Sequence, residues 1–286
     1  MLSKSDFCVG VGLRDVHFEE ALLDSATIDF VEVHSENFFA DGGYLPQLLL
    51  DISDKYPISL HSTAMGLGSS AGIPENYLKK IDTLTRNINP FLMSDHAAFS
   101  WGFVDNKPVH AGDLLPIEYN DDILNIMANN IDKIQQRIGQ PLLIENLSTY
   151  INLPNSTMSE QEFLAKLVDK AQCGLLIDLN NILVNAYNHL QDDYLKSAIA
   201  WLDNIPSHAV GEIHLAGFSK PKNGDLAIDD HSQPISELCW SLYRYALNTF
   251  GATPTLIEWD RHLPSWPKLL DQAQRARQIG LEVLKQ

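Results

Sequence analysis

The run Val210-Gly211-Glu212-Ile213-His214-Leu215-Ala216-Gly217-Phe218, followed by a polar loop and then Ile228-Asp229-Asp230-His231, reads as a short buried strand that ends on a histidine. The loop behind it carries two more groups able to hold a metal ion, Asp229 and His231. Three such donors, at a strand end and in the connection that follows, describe the rim of an active site. The remainder of the chain decides whether other strand ends carry matching groups.

They do, and the same pattern decides the fold. Seven further apolar runs accompany Val210–His214: Cys8–Leu13, Phe30–His34, Ile58–Ser62, Phe91–Asp95, Leu142–Glu145, Gly174–Asp178 and Thr255–Glu258. Most are apolar on consecutive positions, as parallel strands buried on both faces require. Helical patterns alternate with them near 15–26, 44–55, 74–89, 121–138, 159–170, 194–204, 234–249 and 265–284. Ser159 followed by Glu162 forms a capping box, and Pro74, Pro234 and Pro264 suit first-turn positions. Eight strand–helix units in strict alternation predict an α/β protein, a (β/α)8 TIM barrel built as a single domain over 1–286. An open doubly wound sheet would place a Gly-rich turn after the first strand, and Val11-Gly12-Leu13-Arg14-Asp15 lacks one.

The formal net charge of −17 repels polyanions on average, which argues against nucleic acid as a partner. Most of that charge reads as a solvated acidic surface, and a smaller share as carboxylates gathered around cations. No apolar run approaches the length of a membrane span. Met1-Leu2-Ser3-Lys4-Ser5-Asp6-Phe7 lacks the apolar stretch of a signal peptide, so the expectation is a cytoplasmic protein without a membrane partner. Cys8, Cys173 and Cys239 are widely spaced and read as small core residues in a reducing compartment.

Chemistry in such a barrel gathers at the C-terminal ends of the strands, and here those ends are polar. They deliver Glu32, His34, Glu36 and Asn37, then His61, Asp95 and His96, then Glu145 and Asn146. The later strands deliver Asp178, Asn180 and Asn181, then Glu212 and His214, then Glu258 and Asp260. Any one of these has a bland alternative as a satisfied core group; the set does not. Side chains two apart share a strand face, so Glu212 pairs with His214 and Glu32 with His34. Those two glutamates, a layer deeper, are read as groups that orient the histidines. Buried carboxylates without partners cost several kcal/mol, so cations held among them explain the cluster. Oxygen and nitrogen donors without sulfur favour iron, manganese or zinc, and the richness in acids leans to iron or manganese. The donors outnumber what one ion needs, which points to two or three. His17, His110, His189, His208 and His262 read mostly as surface residues.

With these residues in view, the chain resembles the multinuclear non-haem iron-dependent oxidases, which include the methanobactin-type peptide-modifying enzymes. The resemblance covers almost the whole chain. It rests on Glu-Val-His-Ser-Glu-Asn at 32–37, Leu-His-Ser at 60–62, Ser-Asp-His at 94–96, Ile-Glu-Asn at 144–146, Ile-Asp-Leu-Asn-Asn at 177–181, Glu-Ile-His-Leu-Ala-Gly at 212–217, Ile-Asp-Asp-His at 228–231 and Ile-Glu-Trp-Asp at 257–260. It implies a xylose-isomerase-like barrel holding two or three iron ions (Fe2+/Fe3+), with O2 as co-substrate. The implied ligands are His61, His96, Glu145, Asp178, His214, Asp229, His231 and Glu258, with Asn181 auxiliary and Glu145 bridging two ions. Glu32, His34, Asn37, Asp95, Asn146 and Glu212 would support them, and Glu145, His214 and Asp178 would be central to catalysis. The implied reaction oxidises cysteine, or another residue, in a ribosomally made precursor peptide presented by a peptide-binding partner protein. One iron would bind the substrate thiolate and another dioxygen, with hydrogen taken from the cysteine β-carbon. Because Asp229 and His231 sit on a loop, the third metal position is expected to be the most labile. The alternatives are a non-redox di- or trimetal barrel enzyme, such as a sugar isomerase or a phosphodiesterase, and a non-catalytic metal-binding scaffold.

Overall fold

A computed structural model describes residues 7–23, 26–189, 193–219, 221 and 225–285. The N-terminal segment read for a signal, positions 24 and 25 of the first expected helix, and parts of the polar loop before Ile228 lie outside the described residues.

Eight parallel strands close into a barrel: β1 (Val9–Gly12), β2 (Phe30–His34), β3 (Ile58–His61), β4 (Leu92–His96), β7 (Leu143–Glu145), β8 (Gly174–Asp178), β9 (Val210–Leu215) and β10 (Thr255–Ile257). Each falls within about two residues of an expected run, since a strand buried on both faces must be apolar throughout. Two further strands, β5 (Phe99–Val104) and β6 (Lys107–Leu115), form a separate antiparallel hairpin that the periodicity did not predict. Asp105 and Asn106 turn it with positive φ at both positions, as a two-residue hairpin loop demands.

The helices are α1 (Phe18–Leu23), α2 (Tyr44–Ser53), α3 (Glu75–Ile88), α4 (Asp121–Ile138), α5 (Glu160–Ala171), α6 (Leu179–Asn188), α7 (Tyr194–Leu202), α8 (Glu237–Phe250) and α9 (Trp266–Val283). Their starts follow local chemistry. Asn120, Ser159 and Ser236 accept hydrogen bonds from backbone N–H groups at 3.0–3.2 Å and cap α4, α5 and α8. The proline expectation shifts accordingly. Pro74 occupies the cap position of α3, and serines rather than Pro234 and Pro264 stand immediately before α8 and α9. Helix α6 was not expected, because it starts on the residue after Asp178 and leaves no polar linker to mark it. Among the described residues no helix is long and apolar enough to cross a membrane.

The chain divides into two compact units. One takes the described parts of Met1–Val33, Ser148–Tyr150 and Leu176–Gln286; the other takes His34–Leu147 and Ile151–Leu175. In the second unit His61 is the register partner of Ser94, and His96 that of Glu145, so all four project to one face. Asp95, one residue off that parity, projects to the other. In the first unit Gly12 is level with Glu32 and His214 with Leu256, which sets Glu32, Glu212, His214 and Glu258 on matching positions. Gly10 has no room for a side chain: a Cβ there would stand 2.7 Å from the Phe30 ring and backbone.

Candidate functional site

The second unit supplies a compact donor cluster from the ends of β3, β4 and β7. His61, His96 and Glu145 are all buried, and one ligand atom from each lies within 4.8 Å of the others. His96 Nε2 stands 3.2 Å and His61 Nε2 3.5 Å from Glu145 Oε2, and the two rings meet edge-on at 4.7 Å. Ser94 Oγ sits 2.7 Å from His61 Nδ1, which fixes the ring and turns Nε2 toward the carboxylate. Asp95 serves the backbone: it accepts from the N–H of Met65 at 3.0 Å and of His96 at 2.5 Å. Burial raises its pKa against those hydrogen bonds. His34 is half-buried with its ring 5.9 Å from His61, and Asn146 is fully buried next to Glu145.

One expected position in this unit lies differently. Asn37, expected to support the donors, is exposed, because the 3-10 turn Ser35–Phe38 carries it outward. Glu36 takes the inward position instead. Its Oε1 accepts from the backbone of Thr63 and Ala64 at 3.0 Å each and from the Tyr77 hydroxyl at 2.5 Å, pinning the chain that leaves β3. Burial raises its pKa.

The first unit holds a larger and more acidic cluster. His214 is buried with Nδ1 2.9 Å from Glu258 Oε2, while Nε2 faces Glu32 Oε2 at 3.4 Å and Glu212 Oε1 at 3.9 Å. Ligand atoms of Asp178, His214 and Glu258 also lie within 4.8 Å of one another. Glu32 and Glu212 thus converge on His214. His231 Nε2 stands 2.6 Å from Asp229 Oδ1 and 3.9 Å from Asp178 Oδ2, and its Nδ1 is 3.2 Å from Asp260 and 3.3 Å from Glu258. Asn180 donates to Asp229 at 2.8 Å. Asn181, expected as an auxiliary ligand, has its Oδ1 engaged by the Ser148 hydroxyl at 2.7 Å. Asp178 is both a donor and the cap of α6, accepting from Asn181 N at 2.6 Å.

Arg14 was missed by the sequence reading. It leaves the end of β1 and reaches Asp260 Oδ1 through Nε at 2.9 Å and Nη2 at 2.5 Å, with Glu258 Oε1 3.7 Å away. Gly12 makes its seat, since a Cβ there would stand 3.2 Å from the guanidinium. The signal was present as a cation placed just beyond the end of β1, opposite acidic strand ends. The His231 backbone lies in the left-handed region at φ 40°, and its carbonyl accepts from the N–H of Asp260 at 2.8 Å. The loop donor is thereby tied to the chain just beyond β10. His17, read as a surface residue, is buried with Nε2 on the Pro264 carbonyl at 2.9 Å.

Electrostatics follow from this crowding. Burial pushes the Asp178 carboxyl up to about 7, with Asp229 and Glu258 adding to the shift. Burial alone would lower His214, but Glu32 and Glu258 hold it well above the usual imidazole range; Asp229 and Glu258 do the same for His231. Burial opposes ionisation of Glu258, yet the two histidines hold it well below the usual carboxylate range. Protons on histidine thus do the work that a cation would do. The donors fit such an ion: His231 Nε2 is buried between two carboxylates, 2.6 Å from Asp229 Oδ1 and 3.9 Å from Asp178 Oδ2. The set is oxygen and nitrogen only, as borderline and hard divalent metals prefer.

A model of the family described as "RiPP precursor modification enzyme MbnB/TglH/ChrH" matches residues 8–280. The chain belongs to this family. Relatives include a UPF0276 protein of Paraburkholderia phytofirmans, 40% identical over 277 residues that cover 96% of this chain and 87% of the relative. A UPF0276 protein of Vibrio vulnificus is 37% identical over 270 residues, covering 94% and 90%. Among solved structures, a xylose isomerase domain protein from Salmonella typhimurium superposes with TM-score 0.62 at 14% identity, covering 98% of this chain and 99% of that one. D-psicose 3-epimerase from Clostridium cellulolyticum gives 0.60 at 11%, covering 97% and 99%. At such identities the likeness establishes the xylose-isomerase-like barrel and nothing further.

Proposed function

We propose that this member of the RiPP modification family is a multinuclear, iron-dependent, O2-using oxidase acting on cysteine in a ribosomal precursor peptide. A partner protein presents the peptide, and the reaction runs in the reducing cytoplasm, where the buried Cys8, Cys173 and Cys239 stay free thiols. The observation that carries the reading is the pair of buried, sulfur-free donor clusters, each assembled at strand C-terminal ends. Bound iron would supply the capacity to pass electrons from the substrate thiol to dioxygen. His61, His96 and Glu145 would hold one ion; Asp178, Asp229 and His231 would hold a second, and His214 with Glu258 a further one. Asp178 and the two histidines of its unit would release protons on loading. Glu32 and Glu212 would keep the His214 ring oriented, and Ser94 would do so for His61. Burial of the donors would keep bulk water from the reacting thiolate.

Anaerobic reconstitution with ferrous iron, followed by metal analysis and Mössbauer spectroscopy, tests the reading. Two or more irons per chain are expected, with Glu145→Ala and His214→Ala each losing metal and peptide-dependent O2 consumption. A chain that binds only zinc or magnesium when iron is supplied would sink it.

A further inference from the structure

The first unit contains a cavity of about 370 Å³ that the metal chemistry does not use. Leu183, Tyr187, Tyr194, Phe218, Pro221 and Pro234 line it, so the wall is almost wholly apolar. That volume is in the range of specific small-ligand pockets and suits one or two side chains, not a protein face. It adjoins the metal donors through the chain itself. Phe218 and Pro234 belong to the segment that bears Asp229 and His231, and Leu183 and Tyr187 belong to α6, which Asp178 caps. The segment is fastened to α6 by Asn188, which donates to Ala227 O at 3.0 Å and accepts from Ala227 N at 2.8 Å. On either side of Ala227, Leu226 and Ile228 are 49% and 52% exposed, which extends apolar surface up to Asp229.

We propose that this cavity receives one apolar or aromatic side chain of the substrate peptide, two to four residues from the residue that is modified. This rests on the peptide-oxidase reading. The spacing comes from α6: Leu183 and Tyr187 lie five and nine residues beyond Asp178, roughly 7.5 and 13.5 Å along the axis at about 1.5 Å per residue. An extended peptide advances about 3.3 Å per residue, so two to four residues span that gap. The pocket thereby fixes which residue of the peptide reaches the metal donors, as a specificity element built from the same loop and helix that hold them.

The probe is a set of fluorescein-labelled peptides, Phe-(Gly)n-Cys and Cys-(Gly)n-Phe with n from 0 to 8, titrated by anisotropy into the zinc-loaded full chain. Affinity in one of the two orders should peak at n of 1–3 and exceed that of the all-glycine peptide about tenfold or more. Tyr194→Ala and Phe218→Ala should each remove that advantage while zinc stoichiometry stays unchanged; Tyr194 is 36% exposed, so its loss leaves the fold intact. Binding independent of n, no preference over the all-glycine peptide, or unchanged binding by both variants overturns the proposal. So does concentration-dependent dimerisation that Tyr194→Ala abolishes, which would give the pocket to a second copy. Spacing-dependent binding in a chain that takes up no iron would overturn the oxidase reading and leave this one; iron uptake without spacing dependence would do the reverse.

Discussion

Loading the acidic cluster with a metal should expel a countable number of protons. His214 and His231 are held protonated well above the usual imidazole range by the carboxylates around them, and Asp178 titrates near 7. All three would have to be deprotonated to bind a cation. At pH 7 the two histidines contribute about one proton each and Asp178 about half, so loading releases ~2.5 protons, rising to ~3 at pH 6. The sign is fixed: raised pKa values keep protons on the donors to higher pH, so protons compete with the metal and affinity climbs with pH. One pH unit of acidification from neutrality should weaken zinc binding in this unit by roughly 2.5–3 decades. Calorimetric titration with Zn2+ in buffers of differing ionisation enthalpy counts the protons directly. The difference between the wild type and a His214→Asn/His231→Asn double variant isolates the first unit from the donors on β3, β4 and β7. A difference near ~2.5 at pH 7 confirms the charge balance derived from the geometry. Fewer than one proton would mean that the histidines are neutral in the metal-free chain and that the carboxylates are neutralised by some other route.

Three other outcomes follow from single contacts. Asp260→Asn breaks the paired charges of Arg14 and Asp260 and loosens His231; with Asp260 30% exposed, solvent discounts the loss to about 2 kcal/mol, roughly 4–8 °C in melting temperature. Arg14→Lys should retain little of that stabilisation, because an ammonium cannot keep the guanidinium's two-nitrogen grip on Asp260. Gly217→Ala would push a Cβ to 2.4 Å from Pro234 O and 2.5 Å from Gln233 O; since those are backbone atoms, about 1–3 kcal/mol should be lost in thermal unfolding, along with metal occupancy at His231. Tyr77→Phe removes the hydroxyl that donates to Glu36 and should cost about 1.5–3 kcal/mol in denaturant unfolding, with metal stoichiometry unchanged.

The barrel strands were legible because burial on both faces forces unbroken apolar runs, and their ends were legible because polar residues there have no bland role in common. The donor positions follow from that parity: His61, Ser94, His96 and Glu145 on one face and Asp95 on the other. What stayed hidden has three physical origins. The β5–β6 hairpin is largely exposed, so no core imposed a pattern on it, although its Asp105-Asn106 turn was readable. Arg14 and Glu36 act across long sequence separations, on Asp260 and Tyr77, and no local period encodes such a pairing. His17 was misread for the same reason, since its partner is the carbonyl of Pro264. Helix α6 was missed because its cap is also a presumed ligand, and the two signals coincide on Asp178.

His231 holds a backbone conformation that a non-glycine residue adopts only at some cost, fastened through its carbonyl to Asp260 N and through its ring to the Asp260 carboxylate. Its position is therefore inherited from the end of β10 and not from the loop that delivers it. Leu226 and Ile228, on either side of the fastened Ala227, can then change among related chains without dragging the imidazole along. Selection for new peptides can act on one piece of chain while selection for the ion acts on another, although the two are contiguous in sequence.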